Sequence, residues 1–318
     1  MKQLILFFAL VFPFSFSYAQ FNPPTTGPSL NIDLESSYLK PFTKNSASLN
    51  DYSLGEQVNN IYWKIDGKTI SEATNKRSVD FVTKDVGHQT IVEVFVETGT
   101  KKTLSVKRVI EPVYLDIVIE PQTRTPSFYK GRALPSIDST VNLTALINGT
   151  SMTAGNYIYN WSINDTNIET GSIRGNYKTS VKAPIGGYAV ITLSITNLQG
   201  EQVARRNVQF SSSDPEVLYY EVNALTGIKS LPINKNLNLI GNSTNVRAEP
   251  YYLDLNTYNK PDLLEWKING MRSPNRGGNP YEVTLAKQGG NGVTKVNFHV
   301  RNLTDILQGV ESDFNINY

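Results

Sequence analysis

The 318-residue chain has no cysteine. That excludes a disulfide framework, a Cys-based zinc or iron–sulfur site, a thiol nucleophile and an anchor built on a lipidated cysteine. Two histidines leave no room for a multi-His metal centre. Charge is scarce and balanced, with 30 Lys+Arg against 28 Asp+Glu and a formal net charge of +2. Nucleic acid calls for a strongly basic face, so composition makes no case for it. Gly-x-Ser-x-Gly elbows, His-Glu-x-x-His helices and phosphate-cradling glycine loops are also missing. No cofactor is implied.

One long apolar run is present, Leu4 to Phe16, preceded by Lys2 and followed by Ser17-Tyr18-Ala19. A charged start, an apolar stretch and small residues at −3 and −1 describe a secretory signal peptide over 1–19, cut before Gln20. A membrane anchor is the rival reading. The run is shorter than the ~20 residues a spanning helix needs, and Pro13 interrupts it. Residues 20–28, with Pro23, Pro24 and Pro28, read as a stiff spacer. The expectation is an exported protein with no transmembrane segment in its mature chain. It would be periplasmic, extracellular or on the cell surface, where cysteine-free domains must rely on their own cores.

What the sequence does contain is a motif repeated three times. Ile61-Tyr-Trp-Lys-Ile-Asp-Gly67, Ile158-Tyr-Asn-Trp-Ser-Ile-Asn-Asp165 and Leu264-Glu-Trp-Lys-Ile-Asn-Gly270 each place Ile two residues after Trp and then Asp or Asn. Period-two alternation puts Trp and Ile on one strand face, and the Asx-containing pair turns the chain. The tryptophans are 98 and 105 residues apart. A recurrence near 100 residues means tandem domains of that size. Downstream, β-branched strands begin at Thr90, Ala189 and Val293; upstream, alternating strands run from Leu30, Tyr114 and Val217. No window of 12 or more residues carries convincing helical periodicity.

Short strands separated by turn signals predict an all-β chain of three tandem β-sandwich domains over 29–111, 112–213 and 214–318. Trp63, Trp161 and Trp266 are expected to be structural core. A sugar-stacking platform is the functional alternative, and the Ile at +2 opposes it. Glu111-Pro112 joins the first two domains stiffly, whereas polar Ser211–Glu216 is expected to hinge more.

The arrangement resembles tandem bacterial Ig-like and PKD-like modules, whose Tyr-x-Trp-x-x-x-Gly strand it partly matches. Phe128-Tyr-Lys-Gly-Arg-Ala-Leu-Pro135 and the Trp266 segment resemble exported surface proteins of reduced-genome bacteria. That resemblance spans most of 112–318 and is weakest in the first copy. It implies an envelope or surface protein of Ig-like domains and carries no activity with it.

Candidate chemistry is thin. His88 sits at a turn and His299 in a strand of a different repeat. Asp214, Glu216, Asp254 and Asp262 are of the residue type that holds calcium at domain junctions, but no Asp-x-Asp-x-Asp-Gly loop accompanies them, and such residues are commonly solvated turn formers. Phe128, Tyr129, Lys130 and Arg132 form the best candidate contact loop. Tyr251, Tyr252, Tyr258, Arg272 and Arg276 mark similar loops in the third domain. The preferred reading is that half of these tyrosines cover sheet faces with their hydroxyls in water. Asn-x-Ser/Thr triplets at Asn142, Asn148, Asn160, Asn164, Asn242 and Asn302 are weak glycosylation signals.

The resulting expectation is a non-enzymatic exported scaffold or adhesion protein contacting protein or surface glycan. A carbohydrate-binding accessory module is the alternative and a glycoside hydrolase a distant third. An exposed row of aromatics on one sandwich face would favour glycan, and a polar face with an apolar loop patch would favour protein docking. A cleft with two carboxylates roughly 5–9 Å apart would favour hydrolysis.

Overall fold

The computed structural model describes residues 30–318, except 37, 53, 56, 149–153, 169–172, 275–277 and 288. The expected signal peptide and spacer, 1–19 and 20–28, lie outside them. Strands dominate, and the single α-helix among the described residues is Leu255–Asn259. No helix among them is long and apolar enough to cross a membrane. The chain divides into two compact units. One holds residues up to Glu35, Ser46–Phe81 and Ile91–Val109; the other holds Ser36–Asn45, Val82–Thr90 and Ile110–Tyr318.

The first sandwich pairs Asn31–Leu34, Lys44–Asn50 and Ser78–Val82 in one sheet. Lys68–Thr69, Val58–Ile65, Thr90–Thr98 and Thr103–Ile110 form the other. Alternation decides which face is buried. Val92, Val94 and Val96 point inward with no exposure, and Ile61 and Trp63 join them across the Trp63↔Val94 register. Ile32, Ala47, Leu49, Val79 and Phe81 complete this core from the opposite sheet.

The second sandwich places Lys178–Lys182, Thr140–Ile147 and Leu115–Pro121 against a sheet ordered Thr166–Asn167, Tyr157–Ile163, Tyr188–Asn197 and Gln202–Ser211. Its core gathers Val141, Leu143, Ala145 and Ile147 on one side, with Trp161, Ile191, Leu193 and Ile195 on the other. The third repeats the plan with Val246, Ala248 and Leu285 facing Trp266, Val296, Phe298, Phe314 and Ile316. It adds one parallel pairing, Asn236–Asn238 with Asn315–Asn317. The fold is therefore all-β and tandem, each module being two face-packed sheets.

The three tryptophans hold the same station. Trp63, Trp161 and Trp266 are 0%, 2% and 4% exposed. Each indole N–H donates to a main-chain carbonyl 13 to 15 residues on: Lys76 at 2.9 Å, Asn176 at 3.0 Å and Pro280 at 3.2 Å. A buried indole needs such an acceptor, because an unpaired polar group in a core is costly.

The Asx residue ending each Trp strand is equally regular. Asp66, Asn164 and Asn269 sit at φ 50°, 47° and 48°, with Gly67, Asp165 and Gly270 also left-handed. Two consecutive positive φ values make the tight hairpin turn that matches strand twist, and Asx tolerates the first of them. Each side chain then accepts from the next long strand: Ile91 N at 3.0 Å, Val190 N at 2.9 Å and Lys295 N at 3.0 Å. Each backbone N–H donates to the carbonyl of that same residue at 2.8–2.9 Å.

Candidate functional site

The chemistry-bearing side chains of the larger unit gather where its two sandwiches meet. The segment after Pro121 lies along the turn and helix that follow Tyr251. Arg124 N–H donates to the Leu253 carbonyl and Tyr252 N–H to the Arg124 carbonyl, both at 2.7 Å. Leu255 N–H donates to the Gln122 carbonyl at 3.0 Å. Asp254 caps the Leu255–Asn259 helix, its Oδ1 accepting from Asn256 N at 2.8 Å. Beyond it, Gln308 is fully buried. Its Oε1 accepts from Asp254 N at 3.1 Å, and its amide donates to Ser136 Oγ at 3.2 Å and to the Ile137 carbonyl.

Arg124 is the electrostatic centre of this joint. Glu249 is 1% exposed and is held by Arg247 Nε at 2.6 Å and Arg124 Nη2 at 3.4 Å. The Arg124 guanidinium also lies over the Tyr258 ring, 4.6 Å from its centroid, and Tyr258 stacks on Tyr281. A buried carboxylate needs such compensation, since a lone buried charge is strongly destabilising.

The sequence-predicted contact loop is split by this arrangement. Phe128 meets Tyr220 edge-on at 5.2 Å, and Tyr129 meets Tyr251 at 5.3 Å. The Tyr129 and Tyr252 hydroxyls are 3.0 Å apart, and those of Tyr220 and Tyr251 are 2.8 Å apart. Lys130 and Arg132 remain exposed. Gly131 permits the fold-back, because a Cβ there would stand 2.4 Å from the Tyr129 ring. Burial pushes the Tyr220 and Tyr251 phenols up. The hydrogen bond shared with Tyr129 and then burial push Tyr252 up to about 12. These three phenols are neutral hydrogen-bonding groups at physiological pH. What they can do is hold two modules together.

The expected hinge at Ser211–Glu216 is corrected by the same contacts. Ser213 N–H donates to the Pro135 carbonyl at 2.8 Å, and the clamp on either side comes from 122–139 and 302–308. Those segments are remote from the linker in sequence, so linker composition could not reveal them. The calcium candidates are likewise employed or dispersed: Asp254 caps its helix, Asp262 accepts from Leu303 N at 2.8 Å, and Asp214 and Glu216 are exposed. Among the described residues no group of three or more His, Asp or Glu could hold a metal ion. His88 lies at its exposed turn, and His299 stands 3.9 Å from Glu265. Arg276 falls outside the described residues. Three sequon asparagines act as turn formers, Asn148, Asn164 and Asn302 accepting main-chain N–H groups.

The outer faces of the Trp sheets differ in chemistry. On the first, Tyr62 pairs with Phe95, and Lys64 lies 4.7 Å from the Phe95 centroid. On the second, Asn160 and Ser162 face Ser194 and Thr192. On the third, Glu265, His299 and Glu311 form one cross-strand row and Lys267, Asn297 and Asp313 the next. Lys267 at 2.6 Å holds the Glu265 carboxyl below the usual carboxylate range. Beside this face a groove of about 500 Å³ is walled by Pro261, Leu264, Pro274 and Pro280, with Trp266 among its lining residues.

At the end of the third sandwich away from the joint, aliphatic side chains stand in solvent. Leu225 is 96% and Ile240 93% exposed, with Met271 and Val293 also largely bare. Strand register puts them together. Val222 pairs with Asn245 and Val293 with Asn317, while Leu239 N–H bonds the Asn317 carbonyl and Met271 pairs with Ile268. In sequence Val293 marks only the start of a β-branched strand, and Leu225, Ile240 and Met271 carry no motif. The signal was available as aliphatics inside Asn/Gly-rich turns, a pattern that loops do not need.

No family model matches the chain, and no curated protein matches it either. Solved structures do. The fibronectin(III)-like modules of Clostridium thermocellum CbhA are 13% identical, covering 58% of this chain and 94% of theirs at a TM-score of 0.30. The central fibronectin-III array of RIM-binding protein is 11% identical over 92% of this chain and 97% of its own, at 0.29. A C-terminal fragment of intimin, solved with the intimin-binding domain of its translocated receptor, is 14% identical over 60% and 66%, at 0.30. The strand plan described above is that of tandem Ig-like β-sandwich domains.

Proposed function

We propose that the protein is a non-enzymatic exported scaffold whose Ig-like modules present a docking surface to another protein. The observation that carries this reading is the contrast within the third sandwich. Its outer sheet face is a lattice of Glu, Lys, His, Asn and Asp, whereas its far loops expose Leu225, Ile240, Met271 and Val293. Burying such side chains releases roughly 1.5–3 kcal/mol each, so a cluster of them favours association. The clamped joint supports presentation, since Glu249, Gln308 and the Tyr129–Tyr252 pair tie this module to its neighbour.

A photo-crosslinking residue at position 271 or 293 should yield protein adducts in the producing cells, and one at position 160 should not. The Leu225→Ser/Ile240→Ser variant should lose those adducts while keeping its melting temperature. Equal labelling at the tip and at position 160 would remove the docking assignment. The reading of export rests on the Lys2 to Ala19 segment. Amino-terminal sequencing of the mature protein should begin at Gln20.

Carbohydrate binding is the second reading, favoured by the Tyr62–Phe95 pair on the first sandwich. Hydrolysis has less support. The groove beside Trp266 brings in one carboxylate, Glu265, not an acid/base pair.

A further inference from the structure

The larger unit contains a second recess, of about 380 Å³, lined by Ser36, Tyr38, Leu39, Lys40, Thr43, Lys44, Asn45 and Arg205. All eight residues belong to that unit. Three of the eight are cationic and none is a carboxylate. Among the described residues Lys40, Lys44 and Arg205 make no ion pair, which sets them apart from Arg124, Arg247, Lys267 and Lys295. Three like charges converging without a counter-ion repel one another, and an anion in the recess reverses the sign of that interaction.

The wall bearing the lysines is fixed. The Lys40 carbonyl accepts from Thr43 Oγ1 at 2.8 Å and from Thr83 Oγ1 at 2.5 Å, and Thr43 N–H donates to Thr83 Oγ1 at 2.9 Å. The Leu39 carbonyl accepts from Val113 N–H at 3.0 Å. Two uncharged groups in the lining are unspent. Asn45 is nine-tenths buried, its Oδ1 meets no donor, and its amide makes no hydrogen bond. The Tyr38 hydroxyl bonds no group among the described residues either. Between the two lysines in sequence, and outside the lining itself, Phe42 is held at φ 54° with 69% of its surface exposed. A bulky residue in the left-handed region is a true outlier, and such strain collects at binding sites.

We infer that this recess binds an oxyanion, carboxylate or sulfate, carried on a hydroxyl-rich ligand of the acidic-sugar class. The cations take the anion, Asn45 and Tyr38 exchange hydrogen bonds with ring hydroxyls, and the exposed Phe42 ring offers a face to the apolar side of a sugar. The inference is independent of the docking tip on the third sandwich.

Calorimetric titration of the full chain tests it, with oligogalacturonate, dextran sulfate, neutral dextran and inorganic sulfate as probes. The wild type should bind one or both acidic saccharides, weakening as salt rises, and should bind neutral dextran far less. The Lys40→Gln/Lys44→Gln/Arg205→Gln variant changes exposed side chains and should fold normally. It should lose at least about tenfold in affinity, since each charge-assisted contact is a strong hydrogen bond. Phe42→Ala should weaken the saccharides and leave inorganic sulfate unchanged. Which saccharide binds distinguishes carboxylate from sulfate. Equal binding by wild type and triple variant overturns the site, as does no binding of either acidic saccharide. Binding of inorganic sulfate alone overturns the sugar assignment. Leu225→Ser/Ile240→Ser should not alter any of these titrations, so failure of the docking reading and failure of this one are separable.

Discussion

Trp161 shows how far one residue's role could be read and where reading stopped. Alternation with Ile163 placed it on a buried face, and it is 2% exposed. The acceptor of its indole N–H, the Asn176 carbonyl, was not legible, because a partner 15 residues away is set by how the chain returns across the core. Trp161→Ala should lower stability by about 3–5 kcal/mol, read from denaturant unfolding. A loss under 1 kcal/mol would mean the second core is not organised around that ring. A surface pair makes the contrasting case. Arg77 grips Asp51 through two contacts of 2.9 and 3.0 Å, and this hydrogen bonding, ahead of their Coulomb attraction, holds the Asp51 carboxyl below its ordinary value. With the folded value depressed, the stabilisation is present above the unfolded carboxylate value of about 3.9. It is lost as pH falls through the lower folded value. Arg77→Ala should therefore cost about 0.2–1 kcal/mol at neutral pH and progressively less as pH falls below the unfolded carboxylate value.

At the scale of elements, the hairpin after each Trp strand was legible and the joint was not. Asp66, Asn164 and Asn269 announce their turns because few residues accept a left-handed backbone and also bond a neighbouring strand. Asn269→Ala should cost roughly 2 kcal/mol, combining the left-handed penalty with the lost bond to Lys295 N. Asn269→Gly keeps the conformational freedom and should cost roughly half as much. Equal losses in thermal melts would show that the side-chain bond alone matters there. The Phe128–Arg132 loop and the Tyr251–Tyr258 segment both stand out by composition as candidate contact loops, and in the structure they contact each other. Aromatics beside arginine look the same in sequence whether the surface they fit belongs to another molecule or to the next module. The five-residue helix at Leu255 was invisible for a simpler reason: it is too short to show a period.

For the whole molecule, recurrence near 100 residues announced three sandwiches, yet nothing in it foretold that the last two form one unit with Ser36–Asn45 and Val82–Thr90. That grouping rests on few side chains. Arg124→Ala removes one of the two cations on Glu249 and the contact with Tyr258 together. In wild type the 110–318 portion should unfold in a single calorimetric transition. In Arg124→Ala it should lose roughly 2–4 kcal/mol and separate into two transitions, because the lost partner leaves a buried carboxylate half compensated. A single, unshifted transition in the variant would show that the main-chain bonds alone hold the joint.

The clamp that replaced the expected hinge has a consequence for the order in which the chain assembles. Arg124 finds Glu249 across 125 positions, Tyr129 finds Tyr252 across 123, and Ser136 finds Gln308 across 172. Closing such long loops before their ends are held is slow, whereas each sandwich needs only pairings within about 100 residues. The modules should condense first and lock afterwards, the lock waiting on Gln308, which lies 172 residues beyond its partner Ser136. A chain emerging from its amino end would thus pass through a stage with folded beads still free to swivel, and its final rigidity would arrive as a late, separate kinetic event.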